Sequence, residues 1–144
     1  MIDVGGKPVT RRRAVARAHV VMPEHVRERL AAGTLPKGDV MAAARIAGIM
    51  AAKRTPDIVP LCHPLPLTMV EVSPALSDEG VSIIAAAETT AQTGVEMEAL
   101  TAAVVAALTV YDMTKGLDPS ISIRAAELIE KSGGKSGHWR REDG

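Results

Sequence analysis

The stretch "ALTAAVVAALTVY", residues 99–111, contains no charged side chain. A helix that is apolar on every side must be buried on every side, so the segment predicts a central helix packed against the sheet, with a neighbouring subunit as a further covering surface. Just before it, in "TGVEMEA", Thr93 and Glu96 have the spacing of a capping box, where hydroxyl and carboxylate each satisfy a backbone N–H of the first turn. The side chains available to pack around this helix are small. Apolar residues make up 47% of the chain, yet Tyr111 and Trp139 are its only aromatic rings. At about 25 cal/mol per Å² of buried apolar surface, small side chains contribute little each, which predicts that subunit contacts supply part of the stabilisation.

The flanking segments read as mixed strand and helix. "AVARAHVVM" (14–22) sets Val15, Arg17 and His19 on one parity and Ala16, Ala18 and Val20 on the other, a strand pattern. "PEHVRERLAAG" (23–33) has Pro23 at its start, Glu24 in the first turn and Gly33 after the end, a short helix. Asp39 is placed to cap a second helix through "VMAAARIAGIMAAKR". Residues 65–92 predict a β-hairpin turning at "SDEG" (77–80), and "SISIRAAELIEK" (120–131) predicts a strand at its start. Without regular βαβ repetition these elements point to an α+β fold, an antiparallel sheet with helices on one face. The 144 residues fit one domain: a loose polar arm over 1–13, the domain over 14–137 and a Gly/Ser-rich, charged tail over 138–144.

Charge narrows the partners. Seventeen basic residues balance seventeen acidic ones, whereas nucleic-acid binders usually carry a basic excess and aromatic platforms. No uncharged, unbroken run of about 18 apolar residues marks a membrane span, and "MIDVGGKPVTRRR" lacks a signal peptide's apolar stretch. One cysteine cannot form an internal disulfide, so the cytoplasm is the default compartment.

The residues able to carry chemistry fall into four groups. In "IVPLCHPLPL" (58–67), Cys62 adjoins His63 between Pro60 and Pro64, which stiffen the backbone and bias His63 towards extended geometry. Neighbours on extended chain point to opposite sides, so the pair is not a nucleophile with its base. The usual metal-ligand spacings are also absent. A proton-transferring imidazole and a purely structural loop remain as readings. Glu96 and Glu98 serve the dipole of a helix start, but Glu98 runs straight into the apolar stretch, where a carboxylate is costly without a partner. In "YDMTK", Asp112 and Lys115 share a helix face; the helix C-terminus raises an aspartate's pKa and Lys115 counters it. "EKSGGKSG" (130–137) fails the Walker A pattern, because Ile129 stands where its first glycine belongs, yet consecutive glycines with Lys131 and Lys135 suit an oxyanion.

Together "KGDV", "AGIMAAKRT", "PLCHPLPL", "TGVEMEALTA", "ALTVYDMTK" and "KSGGKSG", in this order from "DVGGKPVTRRRAVA" to residue 137, closely resemble the cyclic pyranopterin monophosphate synthase (MoaC) family. The resemblance implies a ferredoxin-like α+β fold, a homohexamer built as a trimer of dimers, and active sites at subunit interfaces. It implies conversion of (8S)-3′,8-cyclo-7,8-dihydroguanosine 5′-triphosphate to cyclic pyranopterin monophosphate and diphosphate. By motif, Asp112 matches the catalytic aspartate and Lys115 its neighbouring lysine; from its own chemistry His63 is expected to assist proton transfer or to bind phosphate. Leu61, Cys62 and His63, with Glu96, Met97 and Glu98, match substrate-binding segments; Lys37, Lys53, Lys131 and Arg12 match basic positions, Arg12 being one of three adjoining arginines. No protein cofactor is expected, and Mg²⁺ accompanying the substrate phosphates is left open. Gln92 stands where a basic residue is expected, Thr114 where a cysteine is, and His138 where an acid is. Three other readings compete: a ligand-binding regulatory module, a cysteine-dependent hydrolase and a pure assembly protein.

Overall fold

The computed structural model describes residues 1–143; Gly144, the last residue of the expected tail, lies outside the described residues. Five strands and four helices run in the order β1 (Thr10–Val21), α1 (Glu24–Ala32), α2 (Val40–Lys53), α3 (Thr55–Ile58), β2 (Leu67–Ser77), β3 (Gly80–Ala91), α4 (Glu96–Thr114), β4 (Ser122–Ser132) and β5 (His138–Arg140). The sheet order is β2-β3-β1-β4-β5 and every pairing is antiparallel. Its first four members form the split βαββαβ arrangement of the ferredoxin-like fold. The hairpin turns as expected, with Ser77 opposite Gly80. The Asp39 carboxylate accepts the Ala42 N–H at 3.0 Å and caps α2.

Two ends differ from the expectation. β1 starts at Thr10, so residues 10–13 of the expected arm are paired strand. Residues 138–140 of the expected tail pair with β4 as β5. In both places charged side chains on an edge or an open sheet face conceal a strand whose backbone is paired on at least one side.

The two faces of the sheet carry opposite chemistry. Ala14, Ala16, Ala18 and Val20 of β1, with Val81, Ile83, Ala85 and Ala87 of β3, are fully buried beneath the helices. On the other face Arg11 and Arg13 both pair with Glu88, at 2.8 and 3.2 Å, and Arg17 pairs with Glu127 at 2.7 Å. Arg13 stands directly opposite Glu88, and Arg17 opposite Glu127, so these are cross-strand pairs on one pleat.

α4 is long and apolar enough by composition to cross a membrane, but it lies against the sheet and α2 as a core helix. Within the single chain the burial of α4 is one-sided. Ala99, Ala102, Ala103, Ala106, Ala107 and Val110 are completely enclosed, while Met97, Val104 and Leu108 are exposed at 39%, 38% and 54%. Residues 97, 104, 108 and 112 lie about a turn or two apart on one stripe, so the outward apolar stripe of α4 ends in Asp112. α2 runs antiparallel to α4, its Gly48 so close to Ala102 that an added Cβ would stand 2.9 Å from that residue's carbonyl oxygen. Ile46 and Met50 of α2 are also exposed, and they extend the apolar surface of the helical layer.

β4 is irregular. Ile129 has no partner between the pairs Val15–Glu130 and Ala16–Leu128, and a second bulge lies between Arg17 and His19, where Ala125 takes a φ of 54°. Each inserted residue flips the parity of the positions beyond it. Lys131 therefore shares the helix-side face with Ala14 and Leu128.

Candidate active site

The expected residues gather at the two ends of α4. At its C-terminal end, the loop after α1 brings Lys37 to Asp112. Lys37 Nζ donates to Asp112 Oδ2 at 2.8 Å and to the Asp112 carbonyl at 3.1 Å, while Lys115 Nζ lies 2.9 Å from Asp112 Oδ1. The hydrogen bonds and charges of Lys37 and Lys115 hold the Asp112 carboxyl down to about 2. The expected upward pull of the helix terminus is outweighed, because two ammonium groups in contact exceed a partial dipole charge. Lys115 in turn is raised, chiefly by its hydrogen bond to Asp112. At neutral pH this end therefore carries an ionised carboxylate between two charged lysines, with one positive charge in excess. Thr114, at the position where a cysteine is expected, is buried and donates its hydroxyl to the Val110 carbonyl at 2.7 Å.

The N-terminal end is built from four segments. The loop 59–66 starts with a turn, Cys62 N–H to the Val59 carbonyl at 3.1 Å. Cys62 points inward, its Sγ 3.6 Å from Glu98 Oε1, and His63 points outward, its Nε2 donating to the Ile2 carbonyl at 2.8 Å. The two side chains diverge as extended geometry requires. The expected capping box is absent: α4 begins at Glu96 after Val95, with no side-chain cap. Glu96 instead accepts from Lys131 Nζ at 3.1 Å, across from the bulged strand.

Of the three adjoining arginines only Arg12 shares the helix-side face with Ala14, its strand partner being the buried Thr89. Arg12 Nη2 donates to the Gln92 carbonyl at 3.2 Å, and its guanidinium lies over the glycine turn. There Gly134 has φ 71°, and a Cβ on it would meet Arg12 Nη1. That left-handed φ favours glycine, while the approach of the flexible Arg12 end adds a contact that can yield. Lys53 ends α2 at this same end of the helical layer and is exposed, as is Leu61 at 69%.

Glu98 is the least ordinary group. It is buried, Oε1 meets only the Cys62 thiol, and Oε2 has no hydrogen-bond partner among the described residues. Burial, above all, raises its pKa, and burial with the nearby Glu98 raises that of Cys62. A raised native pKa means the folded chain binds the proton more tightly than the unfolded chain. The contribution to stability is complete below the unfolded value of 4.5 and is lost as pH rises through the native one. Glu98→Gln is therefore expected to gain stability relative to the parent as pH rises from 5 to 8, by ~1.4 kcal/mol for each unit of elevation removed. Urea midpoints at the two pH values check this; a difference that does not change with pH would mean the carboxyl is not desolvated.

The two ends do not meet within one protomer. Fourteen residues separate Glu98 from Asp112, and at ~1.5 Å per residue they stand about 21 Å apart. Asp112, Lys115 and Lys37 gather at one end of α4; His63, Cys62, Glu98, Glu96, Met97, Lys131 and Arg12 gather at the other. The motifs of the sequence do not single out the segment before β1, which contributes Ile2, Val4 and Lys7 to a cavity of about 360 Å³ beside His63 and Met97. It has no periodicity by which to be found.

Comparison with known proteins places these motifs. A chain from Thermomicrobium roseum named cyclic pyranopterin monophosphate synthase is 55% identical over 99% of this chain and 87% of its own length. Proteins of the same name from Roseiflexus sp. strain RS-1 and Novosphingobium aromaticivorans are 58% and 54% identical, over 96% and 97% of this chain and 89% of their own lengths. The family model described as MoaC family matches residues 1–134, and the chain belongs to the MoaC family.

Proposed function

We propose that this chain is a lyase of molybdenum cofactor biosynthesis. It converts (8S)-3′,8-cyclo-7,8-dihydroguanosine 5′-triphosphate to cyclic pyranopterin monophosphate and diphosphate. The near full-length identity to proteins of that one name carries the reading.

The site chemistry supports it. A neutral chain binds a polyanion only where cations cluster. Lys131, Arg12 and the glycine turn form one such place, and Lys37 with Lys115 another, while Lys53 adds a charge at the end of α2. Attack of a ribose hydroxyl on the α-phosphate needs positioning and positive charge on the departing diphosphate, which lysines at both ends supply. Ring opening and closure need proton acceptors and donors. Asp112, ionised at rest, accepts; Lys115, firmly protonated, donates; His63 assists at the opposite end. Glu96 and Glu98 with Met97, and Leu61 with Cys62, line the part that reads the ring by hydrogen bonds and shape. Any Mg²⁺ arrives on the substrate phosphates; among the described residues no three His, Cys, Asp or Glu side chains gather to hold one.

One active site takes residues from two protomers. The outward stripe of α4 has Met97 at one end and Asp112 at the other, and a twofold contact whose axis runs perpendicular to such stripes pairs them antiparallel. It would bring Asp112 of one copy towards the His63 end of the next. This supports a site at a subunit interface and, with the apolar Ile46 and Met50 beside it, the homohexameric trimer of dimers expected for a cytoplasmic enzyme of this kind.

The test is diphosphate release from the cyclised nucleotide. Release with formation of the cyclic monophosphate is expected; tight binding without release would leave a regulatory module. Loss of activity on thiol alkylation and in Cys62→Ser together would favour a cysteine hydrolase, which the inward, carboxyl-facing thiol argues against.

A further inference from the structure

The segment before β1 is tied to the body at two points. His63 Nε2 donates to the Ile2 carbonyl at 2.8 Å, and Gln92 Nε2 donates to the Gly5 carbonyl at 3.1 Å. Between these anchors the segment is closed on itself. Asp3 Oδ1 accepts the Gly5 N–H at 2.8 Å, and the Val4 carbonyl accepts the Lys7 N–H at 3.0 Å. The anchors belong to different elements, the loop 59–66 and the end of β3, so the segment bridges them. Beneath the bridge lies the cavity of about 360 Å³, within the usual ~300–1,000 Å³ of small-molecule sites. Ile2, Val4 and Lys7 form its outer side, and Cys62, His63 and Met97 lie opposite.

Gln92 is the position at which the family pattern leads one to expect a cation. Its side-chain amide is instead a neutral donor to backbone, and its backbone carbonyl accepts from Arg12 Nη2 at 3.2 Å. One residue thus joins the bridging segment to the arginine beside the glycine turn. Lys7, the only lysine or arginine among residues 1–9, borders both this cavity and a smaller one of about 120 Å³ shared with Arg12, Gly134 and Lys135. A phosphate chain leaving a ring in the larger cavity towards the smaller one would pass this residue.

We propose that residues 1–7 form the outer wall of the substrate pocket, that Lys7 is the cation this wall presents, and that Gln92 is the positioning residue that pins it. The inference rests on the function proposed above. An anchored wall holds Lys7 at a fixed place, whereas a free arm would have to be ordered at each binding event. The cation expected at position 92 is then supplied from residue 7 through a hydrogen bond rather than by residue 92 itself.

The experiment compares the parent, Gln92→Ala, Gln92→Lys and a chain lacking residues 1–6, each as the assembled protein. Turnover of the cyclised nucleotide, affinity for GTP and hydrogen exchange at Lys7 are measured. Gln92→Ala and the shortened chain should each raise KM about tenfold with kcat within about twofold, because they remove binding rather than chemistry. Combining the two should add nothing further, because they break the same device. Gln92→Lys, which keeps an N–H donor within reach of Gly5, should restore KM. Unchanged KM in both single variants, or effects that multiply, would overturn the proposal. Should the parent show no turnover, the proposed reaction is what fails. Faster Lys7 exchange and weaker GTP binding in Gln92→Ala would then still uphold the wall, and no change in either would refute it.

Discussion

Asp112→Asn is expected to lower turnover about 10²–10⁴-fold, the usual worth of a positioned acid or base, with substrate affinity changed by no more than a few-fold. The substitution keeps the size of the side chain and removes its charge and basicity. Lys37 and Lys115 remain in place to bind phosphate, so KM is spared. Because the carboxyl is held at about 2, it is ionised at any pH at which the fold is assayed, and the resting enzyme cannot use it to donate a proton. The stabilisation it draws from the two lysines is present above its unfolded value of 3.8 and is lost only as pH falls through about 2. An acidic limb of the turnover profile near pH 6 therefore belongs to another group. A kcat for Asp112→Asn equal to that of the parent would remove this carboxylate from the mechanism.

Mixing two inactive variants is expected to recover activity. Asp112→Asn damages one half of the site and Lys131→Ala the other, and the two halves stand about 21 Å apart along α4 of a single chain. If each working site joins one half from each of two protomers, a chain with one defect supplies the intact half that its neighbour lacks. Co-refolded at equal amounts, the two variants pair at random, and about a quarter of the sites regain both intact halves. The activity then rises from near background to about a quarter of the parent's. Separately folded oligomers that do not exchange subunits provide the control. A mixture no more active than the average of its components would place both halves of the site in one protomer. The proposed interface would then be wrong.

Much of this site is legible from local pattern, and the rest is set by register and long-range contact. α2, α4 and the β2–β3 hairpin follow from caps, turn residues and apolar spacing, which are local. Arg12 can be chosen from its neighbours by parity alone: with Ala14, Ala16 and Ala18 facing the helices, residue 12 faces them too. A strand taken to start at residue 14 leaves that alternation uncarried. Lys131 is not assignable in this way, because the unpaired Ile129 inverts the parity between it and the regular part of β4. The pairing of Lys37 with Asp112 spans 75 residues and leaves no local trace. The outward stripe of α4 is hidden by its own composition, since Val104 and Leu108 look no different from the alanines and Val110 that are enclosed. Glu96 has the spacing of a cap, but the competing partner, Lys131, comes from a distant strand.

The bulge at Ile129 decides the sign of the charge offered to the start of α4. Were β4 to zip past Leu128 with no residue left out, Ile129 would stand opposite Val15 and Glu130 opposite Ala14, the place Lys131 now holds. Two carboxylates would then confront each other where a cation now meets Glu96. A one-codon loss of Ile129 itself would leave Glu130 opposite Val15 and Lys131 opposite Ala14, so it is the one shortening of this stretch that keeps what the site attracts.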